Sequence, residues 1–263
     1  MTADTTGHLE QVAGEVVSVL RSGIDPDAVA MGDWTVRDVA AHLAGLMDTY
    51  RGFVRGDIDE IVEDESAAQR IARGNASCVQ DRAAVPFDAV VDAVETAVGR
   101  LVDELAARDP AETVQAWQAR PVTVEVVAGF ALSEFCVHGD DIAQATGRRW
   151  RIPADAARAA CLDAAWALPW MLDPEAAEGV QARWVVRLRG GGARWFQVRD
   201  GAAEVDRWHG QPADCTILAT PDAMLLVNYG RRSPWREMAK GKLLAWGRRP
   251  WIAVQVLNWL PNP

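Results

Sequence analysis

Four apolar stripes at helical spacing, all within the first 147 residues, constrain this chain more than any other feature. In residues 8–20, Leu9, Val12, Ala13, Val16, Val17 and Leu20 recur on one side of a helix. Ser22-Gly23 and Pro26 break that run. A second stripe follows Thr35, with Val36, Val39, Leu43, Leu46 and Tyr50 as its apolar arc. Thr35 suits an N-cap there, and Asp38, three residues on, is its reciprocal partner. The third stripe, residues 87–107, carries Phe87, Val90, Val91, Val94, Val98, Leu101, Val102 and Leu105, with Pro110 beyond its end. The fourth, residues 124–146, has Thr123 as its cap and Gly147 as its C-terminal stop. Four helices of this length predict an up-down bundle.

The pattern changes after Arg148. Residues 155–172 read as a buried helix, and then the period shortens. ARWVVRLRGGGARWFQVRDG, residues 182–201, holds two β-like runs around three glycines, which predicts a hairpin. Residues 205–208, 215–219 and 242–246 read as further strands, residues 221–229 as a helix and residues 251–260 as a terminal helix. The expected fold class is therefore α+β. A four-helix bundle over residues 1–150 precedes a smaller α+β domain over residues 151–263. There is no internal repeat.

Composition narrows the partners. The chain carries 27 Lys and Arg against 37 Asp and Glu, a formal charge of −10. That argues against nucleic acid, which requires a basic surface, and against an anionic membrane surface. It leaves room for an anionic small substrate, because local arginines can override the global field. Cys78, Cys136, Cys161 and Cys215 form no C-x-x-C pair, which fits buried thiols in a reducing cytosol. The start, MTADTTGHLEQ, has no signal-peptide character, and no run reaches the roughly 18 apolar residues of a membrane span. A cytoplasmic protein is expected. The acidic stretch from Gly56 to about Gln80, with Asp57, Asp59, Glu60, Glu63, Asp64 and Glu65, reads as a solvated connection with a short helix. It lacks the spacing of a calcium loop.

Of the four histidines, two fall inside helices. Glu134 lies four residues before His138, so the two side chains share a face one turn apart. On a helical wheel they fall in the sector of Val127, Ala131 and Ala145, the inward side. His42 lies at the edge of the apolar arc of its own helix. A buried carboxylate needs compensation, and a divalent cation provides it. Two His and one Glu suit zinc, with iron(II), nickel and manganese as competitors, and leave open coordination positions. The site would carry about one net positive charge, which favours a thiolate. A hydrogen-bonded Glu134–His138 pair, or a solvent-facing pair with no role, remains an alternative. Asp141 falls near the same sector as a replacement or supporting ligand. His209 reads as a loop residue, and His8 lies near the chain start.

GDWTVRDVAAHLAGL and EFCVHGDDIAQATGR resemble, in order and separation, the second- and fourth-helix signatures of the mycothiol-dependent maleylpyruvate isomerase family of DinB-like bundles. The resemblance implies metal ligation by His42, Glu134 and His138. The run from Asp214 to Gly247, with NYGRRSPW and KGKLLAWG, is similar to the sterol-carrier-like domain that often follows such a bundle. There the resemblance implies an arginine that reaches the active site, catalytic and cosubstrate- or substrate-binding. It falls on Arg231, with Arg232 adjacent as a second binding residue, although two solvated loop arginines are the plain alternative. The middle of the chain departs from the family pattern, and Arg70 and Arg73 are candidates there by charge alone.

The resemblance further implies mycothiol as cosubstrate, zinc as the metal, a monomer, and either cis–trans isomerisation of a maleylpyruvate-like substrate or S-transfer to an electrophile. A non-catalytic small-molecule or lipid-binding protein is the competing class. In it the tryptophan-rich segments at 166–170 and 246–259 line an apolar cavity and the metal is structural or vestigial.

Overall fold

The computed structural model describes residues 4–57, 67–117 and 120–259. The chain divides into two compact units, Met1–Ala156 and Ala157–Pro263. Helix and sheet are mixed, as the change of period predicts.

In the first unit the predicted stripes form α1 (Thr5–Leu20), α2 (Val36–Arg55), α4 (Phe87–Ala106) and α5 (Val124–Ala145). Helix α1 packs on α4 and α5, and α2 packs on α4 and α5 as well. The start of α2 is fixed by a complete capping box. Thr35 accepts from the Asp38 backbone at 3.3 Å, and Asp38 accepts from the Thr35 backbone at 2.9 Å. Thr123 occupies the N-cap position of α5, but its side chain makes no capping bond. Gly147 ends α5 with φ +64°, and Arg148 N–H reaches back to the Ala143 carbonyl at 2.9 Å, which closes a Schellman turn.

Two features of this unit go beyond the stripes. The ribbons β1 (Val29–Met31) with β2 (Trp34–Thr35), and β3 (Thr113–Ala116) with β4 (Arg120–Thr123), immediately precede α2 and α5. Helix α3 (Ala67–Gln80) is 14 residues long, longer than the short helix expected in the polar connection. Asp59, Glu60, Glu63, Asp64 and Glu65 lie outside the described residues. Close helix approaches depend on glycine. A Cβ on Gly45 of α2 would meet Cys78 of α3 at 2.5 Å, and one on Gly139 of α5 would meet Trp150 at 2.7 Å and Val16 of α1 at 2.8 Å.

Helix α6 (Ala154–Ala164) spans the division between the units. A 3₁₀ turn and α7 (Leu168–Met171) follow. The second unit is built on five strands, β5 (Gln181–Leu188), β6 (Ala193–Arg199), β7 (Ala202–Arg207), β8 (Cys215–Ala219) and β9 (Leu243–Trp246), in the order β7-β6-β5-β8-β9. The glycine-turned hairpin is β5–β6, with Trp184 opposite Phe196. Only the β5–β8 pair is parallel. Helices α8 (Pro221–Asn228), α9 (Pro234–Ala239) and α10 (Ile252–Gln255), the last running into a 3₁₀ turn, complete it. Its core stacks Trp184 on Phe196 at 5.1 Å, with Trp259 at 6.0 Å from Trp184. Leu260, the expected end of the terminal helix, lies outside the described residues. Among the described residues, no helix is long and apolar enough to cross a membrane.

Candidate metal centre

The packing of α2 on α5 brings His42, Glu134 and His138 together. One potential ligand atom from each lies within 4.8 Å of the others. Both imidazoles direct Nε2 at the same oxygen. Glu134 Oε2 is 3.5 Å from His42 Nε2 and 3.3 Å from His138 Nε2. The rings meet edge to face with centroids 5.1 Å apart. His42 and His138 are buried, whereas the Glu134 side chain keeps 13% of its surface exposed. The convergence point is therefore inside the first unit and not sealed from solvent.

The supporting contacts set the chemistry of the donors. His138 Nδ1 lies 3.0 Å from Asp141 Oδ2, one turn further along α5. A carboxylate only accepts, so Nδ1–H donates to Asp141; Nε2–H in turn donates to Glu134 when no cation is bound, and a cation at the convergence point would displace that proton and take the Nε2 lone pair. Asp141 thus stands behind a ligand-type histidine and is not a member of the triad. The ring of Trp34, from β2, packs on His42 with centroids 5.2 Å apart.

Burial pushes the Glu134 carboxyl up, but hydrogen bonds from His138 and His42 and their charge outweigh it and bring it down to about 2. Burial pulls His138 down, and the bonds to Asp141 and Glu134 outweigh that, raising it to about 8. Three donors of this chemistry, two of them imidazoles and one a carboxylate held ionised, fit a divalent transition-metal ion.

Arg231 and Arg232 lie in the second unit, on the turn after α8. That turn is also of Schellman type. Gly230 has φ +68°, and Arg231 N–H reaches the Leu226 carbonyl at 2.8 Å. Arg231 Nη1 donates to the Tyr229 carbonyl at 2.9 Å. Arg232 Nη1 lies 3.4 Å from Asp222 and 4.0 Å from the buried Glu237. Lys242 binds Asp222 and Lys240 binds Glu237, each at 2.7 Å. Arg232 is thus knitted into a carboxylate–lysine network that holds the turn. Arg73 is exposed on α3, and the Arg70 side chain lies outside the described residues. His209 is exposed in a loop. Trp246 and Trp251 are 45% and 51% exposed, whereas Trp259 is buried.

Sequence reasoning did not single out Trp117 or the ring cluster it joins. Trp117 joins Phe130, Phe53 and Tyr50 at ring distances of 4.8, 5.3 and 5.9 Å. Its backbone is left-handed, φ +41°. No periodicity marks a tryptophan in a hairpin turn.

Residues 7–143, more than half of the chain, match the family model of the mycothiol maleylpyruvate isomerase N-terminal domain, and the chain belongs to that family. Its structure is similar to a crystal structure of the mycothiol-dependent maleylpyruvate isomerase, with a TM-score of 0.53 and 12% identity over 89% of this chain and 90% of that one. A histidine-to-alanine mutant of such an isomerase matches with a TM-score of 0.53 and 11% identity, over 93% of this chain and 92% of that one. No curated protein matches the chain in sequence.

Proposed function

We propose that this protein is a metal-dependent enzyme that uses a low-molecular-weight thiol, mycothiol, as its nucleophile. The single observation that carries the reading is the convergence of His42, Glu134 and His138 within 4.8 Å, inside the segment that matches the isomerase family. His42 and His138 would offer Nε2 and Glu134 a carboxylate oxygen, with Asp141 orienting His138. A divalent cation bound there, zinc by donor chemistry, supplies the Lewis acidity that makes a thiol ionise at neutral pH.

The chain's own residues do the rest. The described centre has no cysteine in its triad, and desolvation pushes the half-buried Cys161 thiol up to about 12 and the buried Cys215 thiol up to about 11, so an external thiol fits the role of nucleophile better. Addition of its sulfur to an electrophilic alkene carbon turns the double bond into a rotatable single bond. Expulsion of the same thiol then returns the trans isomer. If the adduct is retained, the outcome is S-transfer. Arg231, with Arg232 beside it, suits a substrate carboxylate, which a guanidinium binds bidentately. Both outcomes are redox-neutral, and isomerisation of a maleylpyruvate-like substrate is the reaction we favour because residues 7–143 match the family model that carries that isomerase's name.

The test is mycothiol-dependent isomerisation of maleylpyruvate by zinc-loaded wild type and His42→Ala. Turnover that requires both the thiol and His42 is the expected result. A wild type inactive with thiol and zinc, or a His42→Ala variant as active as wild type, overturns the reading.

A further inference from the structure

We infer that Trp117 and Phe130 form an apolar stacking subsite beside the metal centre, selecting electrophiles that carry a flat hydrophobic group on the alkene. The inference rests on the proposed thiol-dependent reaction and names the substrate class for it.

The placement follows from helix geometry. Phe130 lies one turn before Glu134 on α5, about 6 Å along the axis. Tyr50 and Phe53 lie further along α2 from His42, and both are buried, at 3% and 2% exposure. Trp117 touches all three rings, so it bridges α2 and α5 on the Phe130 side of the triad. Tyr50 and Phe53 make a floor. Trp117 and Phe130 stay partly exposed, and Phe130 shares the α5 face of Glu134 one turn away.

The backbone supports a functional placement over simple packing. A left-handed φ of +41° is costly for a bulky side chain, and such strain concentrates at binding and active sites. The left-handed turn presents the Trp117 ring to Phe130, Phe53 and Tyr50 while leaving it partly exposed. The four rings also offer no cation to a second carboxylate. An aromatic wall favours a planar apolar group through stacking and edge contacts.

Two cis-alkene acids separate the possibilities. Maleylpyruvate carries a carboxylate at each end, whereas cis-3-benzoylacrylate replaces one end with a phenyl ketone. Isomerisation of both is followed with zinc-loaded wild type, Trp117→Ala and Trp117→Asn, the asparagine tolerating the left-handed backbone. Both variants should keep wild-type zinc content. We expect kcat/KM for benzoylacrylate to fall about tenfold in both variants, with maleylpyruvate changed less than about twofold. Equal losses on the two substrates, or no loss on benzoylacrylate, overturn the subsite. If wild type turns over neither substrate, the enzymatic reading fails separately. The subsite is then read by calorimetric binding of trans-3-benzoylacrylate against fumarate. Binding of the aryl acid that weakens about tenfold without Trp117 supports it, and unchanged binding overturns it.

Discussion

At the residue scale, the centre is a carboxylate between two imidazoles, and its protonation is coupled to metal binding. His138 is raised from 6.5 to about 8, so near neutral pH it carries a proton that a cation must displace. Apparent zinc affinity should therefore climb about tenfold per pH unit up to about pH 8 and level off above, with close to one proton released. Calorimetry in buffers of different ionisation enthalpy checks this, and a pH-independent affinity between 6 and 8 contradicts it. The metal-free protein should behave oppositely. The raised His138 contributes stability that is complete below pH 6.5 and lost as pH rises through about 8. The lowered Glu134 contributes stability present above 4.5 and lost as pH falls through about 2. The metal-free melting temperature should thus drop between pH 6.5 and 8.5, and bound zinc should remove that drop. Asp141→Asn keeps the shape but weakens the acceptor behind His138. It should lower zinc affinity about ten- to a hundredfold, measured by competition with a chelator.

At the scale of elements, the centre depends on how closely helices approach and where they begin. Trp150 is held against Gly139 by its bond to Glu15 at 3.0 Å, so the ring cannot easily retreat. Gly139→Ala should cost about 1–3 kcal/mol in thermal unfolding, and a neutral effect would show that α1 and α5 can move apart freely. Thr35→Ala removes one arm of the capping box and should cost about 1 kcal/mol. These helix ends were legible in the sequence because Thr35, Asp38 and Gly147 carry their own geometry. The ribbons β1–β2 and β3–β4 were not. Strands of two to four residues are too short to show alternation, and Trp117 lies in the turn of one of them. Helix α3 reads as mostly connection in sequence because AAQRIARGNASCVQ has few apolar residues to form a stripe.

For the whole molecule, the change from helical to alternating period located two kinds of structure, and a hairpin was predictable from three glycines between β-like runs. The sheet order was not. β8 inserts between β5 and β9, parallel to β5, and no local pattern specifies a partner 31 residues away in sequence. The candidate triad was accessible as a spacing on α5 plus a distant histidine, yet spacing alone favoured a Glu–His pair without a metal. The packing of α2 on α5 is what unites them. Arg231 and Arg232 show the opposite limit. They are adjacent in sequence but differently engaged, Arg232 in the Asp222–Glu237 network and Arg231 at the Tyr229 carbonyl. Arg232→Ala removes the contacts to Asp222 and Glu237 and should lower the melting temperature in thermal unfolding. An unchanged melting temperature would contradict a structural role for Arg232.

The most direct measurement is zinc titration into metal-stripped wild-type protein and into His42→Ala, Glu134→Gln and His138→Ala, with bound metal counted by mass spectrometry. One zinc per wild-type chain, with affinity weakened at least about a hundredfold in each variant, is the predicted result. A wild type that binds no zinc, iron, nickel or manganese, or variants that bind as tightly as wild type, would contradict a metal centre at these three residues.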